Sequence, residues 1–178
     1  MPRLFVGLQI PEAHRLRLSL IRGPLPGARW VEPDNFHMTL FFAGDIDNPQ
    51  ADELVKALDQ VAWEPFDLRF TELGAFGGND PRVVWAGLDG GEGLQNLARG
   101  VARAARTAGL PPETRKFVPH VTLARLANSR AEAVARFLAS RGRLDMPPFP
   151  VDRFVLFSSR PNQGGGPYVV EEAFEAGM

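Results

Sequence analysis

His37-Met38-Thr39-Leu40 and His120-Val121-Thr122-Leu123 repeat one pattern, His-x-Thr-Leu, in a chain of 178 residues with only three histidines. Each copy sits in an apolar run of strand type. Side chains alternate between the faces of a strand, so residues at i and i+2 point the same way. Each motif therefore presents an imidazole and a hydroxyl side by side, while Met38 and Leu40, or Val121 and Leu123, point to the opposite face. Two such units across one cleft would place a proton donor, a proton acceptor and two hydroxyl donors around one small group.

The chemistry follows from those groups. Imidazole titrates at about 6.5, so one ring can be neutral and another charged near neutral pH. A pair suits general base plus general acid catalysis, each contributing roughly 10²–10⁴-fold. Hydroxyls donate to a phosphoryl oxygen where charge grows. In-line attack at phosphorus needs base and acid on opposite sides, which two facing strands supply. No metal is called for, because a zinc site wants three or four ligands and no His-x-x-x-His occurs. The chain has no cysteine, which excludes thiol catalysis and disulfides. His14, among Glu12, Arg15 and Arg17, reads as a solvated surface residue. Trp30 and Trp85 read as core, as does Phe117.

The elements that must position these residues are legible as strands and helices. Arg3 to Ile10 reads as a central strand, and Pro11-Glu12 opens a helix with Ala13, Leu16, Leu20 and Ile21 as its buried stripe. The first motif strand runs Phe36 to Ala43. Asn48-Pro49 looks like the N-cap and first turn of a helix with stripe Leu54, Val55, Leu58 and Val61. Strands follow from Phe66 to Thr71 and from Val83 to Leu88. Leu94 to Ala108 forms a helix closed by Gly109. The second motif strand spans Phe117 to Ala124. Ser129 with Glu132 suggests a capping box for a helix that buries Val134, Phe137 and Leu138. Val151 to Phe157 is a strand, Ser158 to Pro167 a Gly-rich loop and Tyr168 to Phe174 a last strand.

An internal repeat shows in this order: strand, helix, motif strand, helix, strand, twice over. Several strands have one polar face, which favours antiparallel sheets over a doubly wound parallel one. The expected fold is α+β and bilobal: two pseudo-symmetric antiparallel sheets, helices on the outer faces, a central cleft, and residues 1–178 forming a single two-lobed domain.

Composition narrows the partners. The formal net charge is −1, so no global positive field draws in a polyanion and any such binding needs a local basic patch. Eighteen of the twenty basic residues are arginine, which grips phosphate bidentately. No run approaches the roughly 20 apolar residues of a membrane span, and the N-terminal segment is unlike a signal peptide. A soluble cytoplasmic protein is expected.

The sequence resembles the two-histidine phosphoesterases, and within them the RNA 2′,3′-cyclic phosphodiesterases first described as 2′-5′ RNA ligases. The likeness covers nearly the whole chain: Arg3-Leu4-Phe5-Val6, then Trp30-Val31-x-Pro33-x-Asn35-Phe36-His37-Met38-Thr39-Leu40, Val83-Val84-Trp85, Phe117-x-Pro119-His120-Val121-Thr122-Leu123-Ala124-Arg125, Ser159 and the Gly-rich turn before Tyr168. The resemblance implies metal-independent hydrolysis of RNA 2′,3′-cyclic phosphate ends to 2′-phosphomonoesters; a monomer acting on such RNA ends without a cofactor is expected. It implies His37 as proton donor and His120 as proton acceptor. Thr39, Thr122 and Arg125 would hold the substrate. On an unbroken strand Arg125 has the opposite parity to His120, so it reaches the phosphate only if the strand ends or twists near Ala124. Phe41-Phe42 departs from the family, many members of which carry a polar or basic residue at the first of these positions. Alternatives within reach of the same site are 2′-5′ ligation, cleavage of 2′-5′ oligonucleotides and RNA-end binding without turnover.

Overall fold

The computed structural model describes residues 3–159 and 167–177. Most of the expected Gly-rich loop, residues 160–166, lies outside the described residues. The order of elements is β1 (Arg3–Gln9), α1 (Glu12–Ser19), β2 (Ala28–Trp30), a 3-10 turn (Pro33–Asn35), β3 (His37–Asp45), α2 (Asn48–Asp59), β4 (Phe66–Phe76), β5 (Val83–Asp89), α3 (Gly91–Thr107), β6 (His120–Leu126), α4 (Ala131–Arg141), β7 (Phe149–Val151), β8 (Arg153–Ser159) and β9 (Val169–Glu175). The mixed α+β class and the antiparallel pairing are as expected. No described helix is long and apolar enough to cross a membrane.

The strands follow the path β7-β4-β5-β6-β3-β1-β8-β9, with β2 added beside β6. Its two halves, four strands each, meet where the motif strands touch. That seam is narrow: Met38↔Val121 is the registered pair between β3 and β6. The halves are built alike. In β1, Phe5, Gly7 and Leu8 stand where β5 has Trp85, Gly87 and Leu88. One face of the strands is covered by helices. Met38 and Val121 are fully buried there, with Leu54 and Leu58 of α2, Leu94, Leu97 and Val101 of α3, and Val134 and Phe137 of α4. The other face carries the histidines and a small cluster of Phe5, Val155, Phe157 and Tyr168.

The repeat in the sequence and the halves in space are cut differently. β4, the fifth element of the first repeat, pairs with β5 of the second. β8, at the end of the second repeat, pairs with β1 of the first. Each half therefore borrows strands from the other: β4 and β2 join the half of β5 and β6, and β8 and β9 join the half of β1 and β3. The expected strand Val151 to Phe157 is split at Asp152 for this reason. β7 pairs with β4, and β8 crosses to the opposite half.

The structure also departs from the sequence-based expectation in α1, at His14 and at the caps of α2 and α4. α1 buries His14 and Leu18, while Leu16 and Leu20 of the expected stripe are 65% and 77% exposed. The helix is short and carries apolar residues on two faces, so spacing alone does not choose between them. Asp47, one residue before Asn48, caps α2 by accepting the Gln50 N–H at 2.9 Å. The capping box of α4 does not form. Ser129 is buried and its hydroxyl donates to the Pro26 carbonyl at 2.7 Å, so Arg130 occupies the cap position without a side-chain bond. His14 is no surface residue: its Nε2 bonds the Pro147 carbonyl at 2.7 Å, and its ring packs 4.7 Å from that of Phe149.

Candidate active site

Each histidine begins its strand and is fixed by the backbone two residues before it. His37 Nδ1–H donates to the Asn35 carbonyl at 2.9 Å, and His120 Nδ1–H donates to the Val118 carbonyl at 2.7 Å. A ring whose Nδ1 carries the proton offers Nε2 as the reactive nitrogen. The 3-10 turn Pro33–Asn35 places the first carbonyl. The segment ending at Pro119, whose own carbonyl accepts from Leu88 N–H at 3.1 Å, places the second.

The Met38↔Val121 pair sets how the two histidine positions stand to each other on the strands. One step out in an antiparallel register, His37 stands beside Thr122 and Thr39 beside His120. The two histidines are thus diagonal neighbours, a relation that separates them by about 7–8 Å. They are close enough for His120 to disfavour the charged form of His37. Both threonines are half-buried on the same face as the histidines. Thr39 donates its hydroxyl to His37 Nε2 at 3.0 Å.

The leucine of each motif has a part that alternation does not reveal. In β6 the register passes from Trp85↔Thr122 to Val84↔Ala124 and leaves Leu123 over. In β3 it passes from Gly7↔Thr39 to Val6↔Phe41 and leaves Leu40 over. Each leucine is the extra residue of a β-bulge, which re-aims the residues after it. Ala124 is buried, and Arg125, exposed and paired with Val83, returns to the face of His120 and Thr122. Arg125 lies near enough to His37 to lower its pKa. The same bulge in β3 brings Phe42, 51% exposed, to the equivalent place on the other strand, opposite Phe5.

Aromatic rings wall both histidines. The His37 ring centre lies 4.8 Å from Phe5, 5.4 Å from Phe157 and 5.0 Å from Tyr168, whose ring is edge-on. His120 has Phe76 edge-on at 5.0 Å and Trp85 at 6.4 Å. Trp85, expected in the core, is half-buried on the site face. Sequence reasoning missed all five rings, because an aromatic residue in a strand reads as core whichever face it takes. The one available signal was the parity of Phe5 and Trp85 with Gly7 and Gly87. Desolvation by this apolar wall lowers the His37 pKa to about 4, with the bond to Asn35 opposing the shift and the charges of His120 and Arg125 adding to it. Among the described residues no group of three or more His, Asp or Glu side chains converges on a point.

Two imidazoles with anchored Nδ1 on one face, each beside a hydroxyl and with one guanidinium near, are an arrangement capable of acid–base chemistry, and it is the arrangement expected of a two-histidine phosphoesterase. Likeness to known proteins narrows the class. Residues 10–163 match the 2′-5′ RNA ligase superfamily, and the chain belongs to that family. It is 37% identical over 154 residues to the RNA 2′,3′-cyclic phosphodiesterase of Aquifex aeolicus, covering 84% of this chain and 82% of that one. It is 38% identical over 135 residues to that of Aeropyrum pernix, covering 74% and 76%. Among solved structures, LigT of E. coli complexed with 3′-AMP superimposes with a TM-score of 0.80 at 25% identity over 100% of both chains.

Proposed function

We propose that this chain hydrolyses RNA 2′,3′-cyclic phosphate ends to 2′-phosphomonoesters, with His120 as base and His37 as acid. The observation that carries the reading is the pair of histidines that begin neighbouring antiparallel strands, each with its Nδ1–H bonded to the carbonyl two residues before it. His120 Nε2 takes a proton from water as the water oxygen attacks phosphorus. The bond from phosphorus to O3′ breaks, and His37 Nε2–H gives its proton to that oxygen. The products are a 2′-phosphomonoester and a free 3′-hydroxyl. Thr39, Thr122 and Arg125 donate to the non-bridging oxygens, where charge builds up. Phe42, exposed beside the site, offers a ring on which the terminal base stacks.

The low pKa of His37 fits this cycle once the substrate is included. With its pKa lowered, the ring is neutral near pH 7 and accepts from Thr39. An entering phosphodiester brings a negative charge and draws the Thr39 hydroxyl to its own oxygens. Both effects favour a proton on Nε2. All of these groups come from one chain, so a monomer suffices for the reaction; the proposal gives it no metal or cofactor and places it in the cytoplasm. The name of the family supports a companion reaction at the same site: an RNA 5′-hydroxyl in place of water yields a 2′-5′ linkage.

The test is an oligonucleotide ending in 2′,3′-cyclic phosphate, incubated with the protein in EDTA and followed by phosphorus NMR. A 2′-monoester is expected. A 3′-monoester, or a need for added metal, would overturn the proposal.

A further inference from the structure

We infer that Arg29 forms, beside Arg125, a second phosphate subsite that holds the phosphodiester on the 5′ side of the reacting nucleotide. The inference deepens the cyclic phosphodiesterase reading and rests on it. Arg29 and Arg125 are directly paired across β2 and β6. Their β-carbons are then about 4.5–5.5 Å apart on one face of the sheet. That face is the catalytic one, because Arg125 is also in register with Val83, in the same row as Trp85 opposite Thr122. Both arginines are exposed.

Their charge is uncompensated. Arg3, Arg69, Arg82 and Arg153 each have a carboxylate within 4.0 Å, supplied by Asp45, Asp89, Asp80 and Asp152. Among the described residues, the side chains of Arg29 and Arg125 make no ion pair or hydrogen bond. Like charges directly opposed across strands are destabilising, and a bound anion removes that cost. β2 holds Arg29 firmly in this unfavourable place. Its other face packs Ala28 and Trp30 against the core. The strand is tied to β6 at both ends, by Val31 N–H to the Leu123 carbonyl at 2.8 Å and Ala127 N–H to the Gly27 carbonyl at 3.0 Å.

The position sets the ligand. From His120 the line of groups runs through Thr122 to Arg125, then sideways to Arg29, leading away from the reacting phosphate. At the equivalent place on β3 stands the uncharged ring of Phe42. One mouth of the site thus offers aromatic surface and the other offers paired guanidiniums, the bidentate partners of phosphate oxygens. A net charge of −1 provides no general attraction, so this pair is a local basic patch of the kind RNA backbone binding needs.

The experiment compares KM for a nucleoside 2′,3′-cyclic phosphate bearing a 5′-hydroxyl with KM for a tetranucleotide ending in the same group. The wild-type KM is expected to be lower for the tetranucleotide. Arg29→Gln raises the tetranucleotide KM about tenfold and brings the ratio of the two KM values toward one, and Arg29→Lys restores much of the difference. The slope of log KM against log salt for the tetranucleotide falls by about 0.7 in Arg29→Gln, the share of one phosphate contact on a single strand. Wild-type turnover with a ratio and slope that Arg29→Gln does not move would overturn the subsite alone. Absence of wild-type turnover on both substrates would instead overturn the phosphodiesterase reading beneath it.

Discussion

His37 and His120 share a motif, an anchoring bond and a strand position, yet not an environment. Three rings crowd His37, and burial holds its pKa near 4, below the ordinary 6.5. Between those values an unfolded chain binds a proton that the folded site refuses, so folding stability is full above about pH 6.5 and falls as pH drops toward 4. The loss is about 3 kcal/mol at most, because each pH interval of one between the two values is worth about 1.4 kcal/mol. His37→Gln should lack this fall. Urea unfolding at pH 7 and pH 4.5 is expected to show the variant gaining on the wild type as the solution is acidified. The same histidine should titrate higher when inorganic phosphate occupies the site, which imidazole NMR signals will report. Catalytic loss is expected to be about 10²–10⁴-fold in kcat for His37→Ala and for His120→Ala alike, measured on the cyclic phosphate end. Spacing makes these two residues legible. His14 is easily misread because charged neighbours in sequence say nothing about which side of a helix turns inward.

Among the strands, the bulges at Leu40 and Leu123 matter most. Perfect alternation would send Arg125 to the helix face, where Leu126 is buried. One residue left out of the ladder reverses this. No composition rule marks that residue, since a leucine in a strand fits a bulge or a regular position equally well. The glycine neighbours of the bulges show how tightly the motif strands are seated. A β-carbon on Gly7 would lie 2.5 Å from the Met38 carbonyl oxygen, whereas on Gly87 it would meet the Thr71 hydroxyl at 2.7 Å. Backbone cannot move aside, but a hydroxyl can rotate. Gly7→Ala should therefore cost more than Gly87→Ala, about 1–3 kcal/mol for Gly7, as a shift of the urea midpoint. Gly7→Ala should also reduce kcat, because the displaced carbonyl lies between His37 and Thr39. The elements themselves are largely legible, α3 most clearly because Leu94, Leu97, Val101 and Ala104 keep one helical face. Caps and ends are less so: Asp47 and Asn48 are both good cap residues, and the competing bond to Pro26 that takes Ser129 comes from a segment far away in sequence.

The repeat is visible along the chain, but the exchange of strands between its halves is not. Equal spacing from each histidine to Phe66 and to Phe149 fixes where the fifth elements start and leaves open whose sheet they join. That is decided by long-range pairing: β4 runs along β5 and β7, and β8 lies between β1 and β9. The consequence is testable by cutting the chain in the exposed turn at Gly78, between β4 and β5. Fragment 1–78 keeps the β1–β3 pair but loses β8, which covers the other edge of β1. Its β4 has lost both partners. Fragment 79–178 keeps β5 and β6 without β4, and β8 and β9 without β1. Each piece exposes unpaired strand edges and half of a core, a state that favours aggregation over folding. Circular dichroism of either fragment alone should show no cooperative thermal transition. Mixed and refolded together, they should regain one transition and cyclic phosphate hydrolysis, since the site needs His37 from one piece and His120 from the other. A cooperative transition in an isolated fragment would mean that the borrowed strands contribute little. Such a result would mean that the pieces fold as independent lobes and that packing at the seam of Met38 and Val121 merely brings them together.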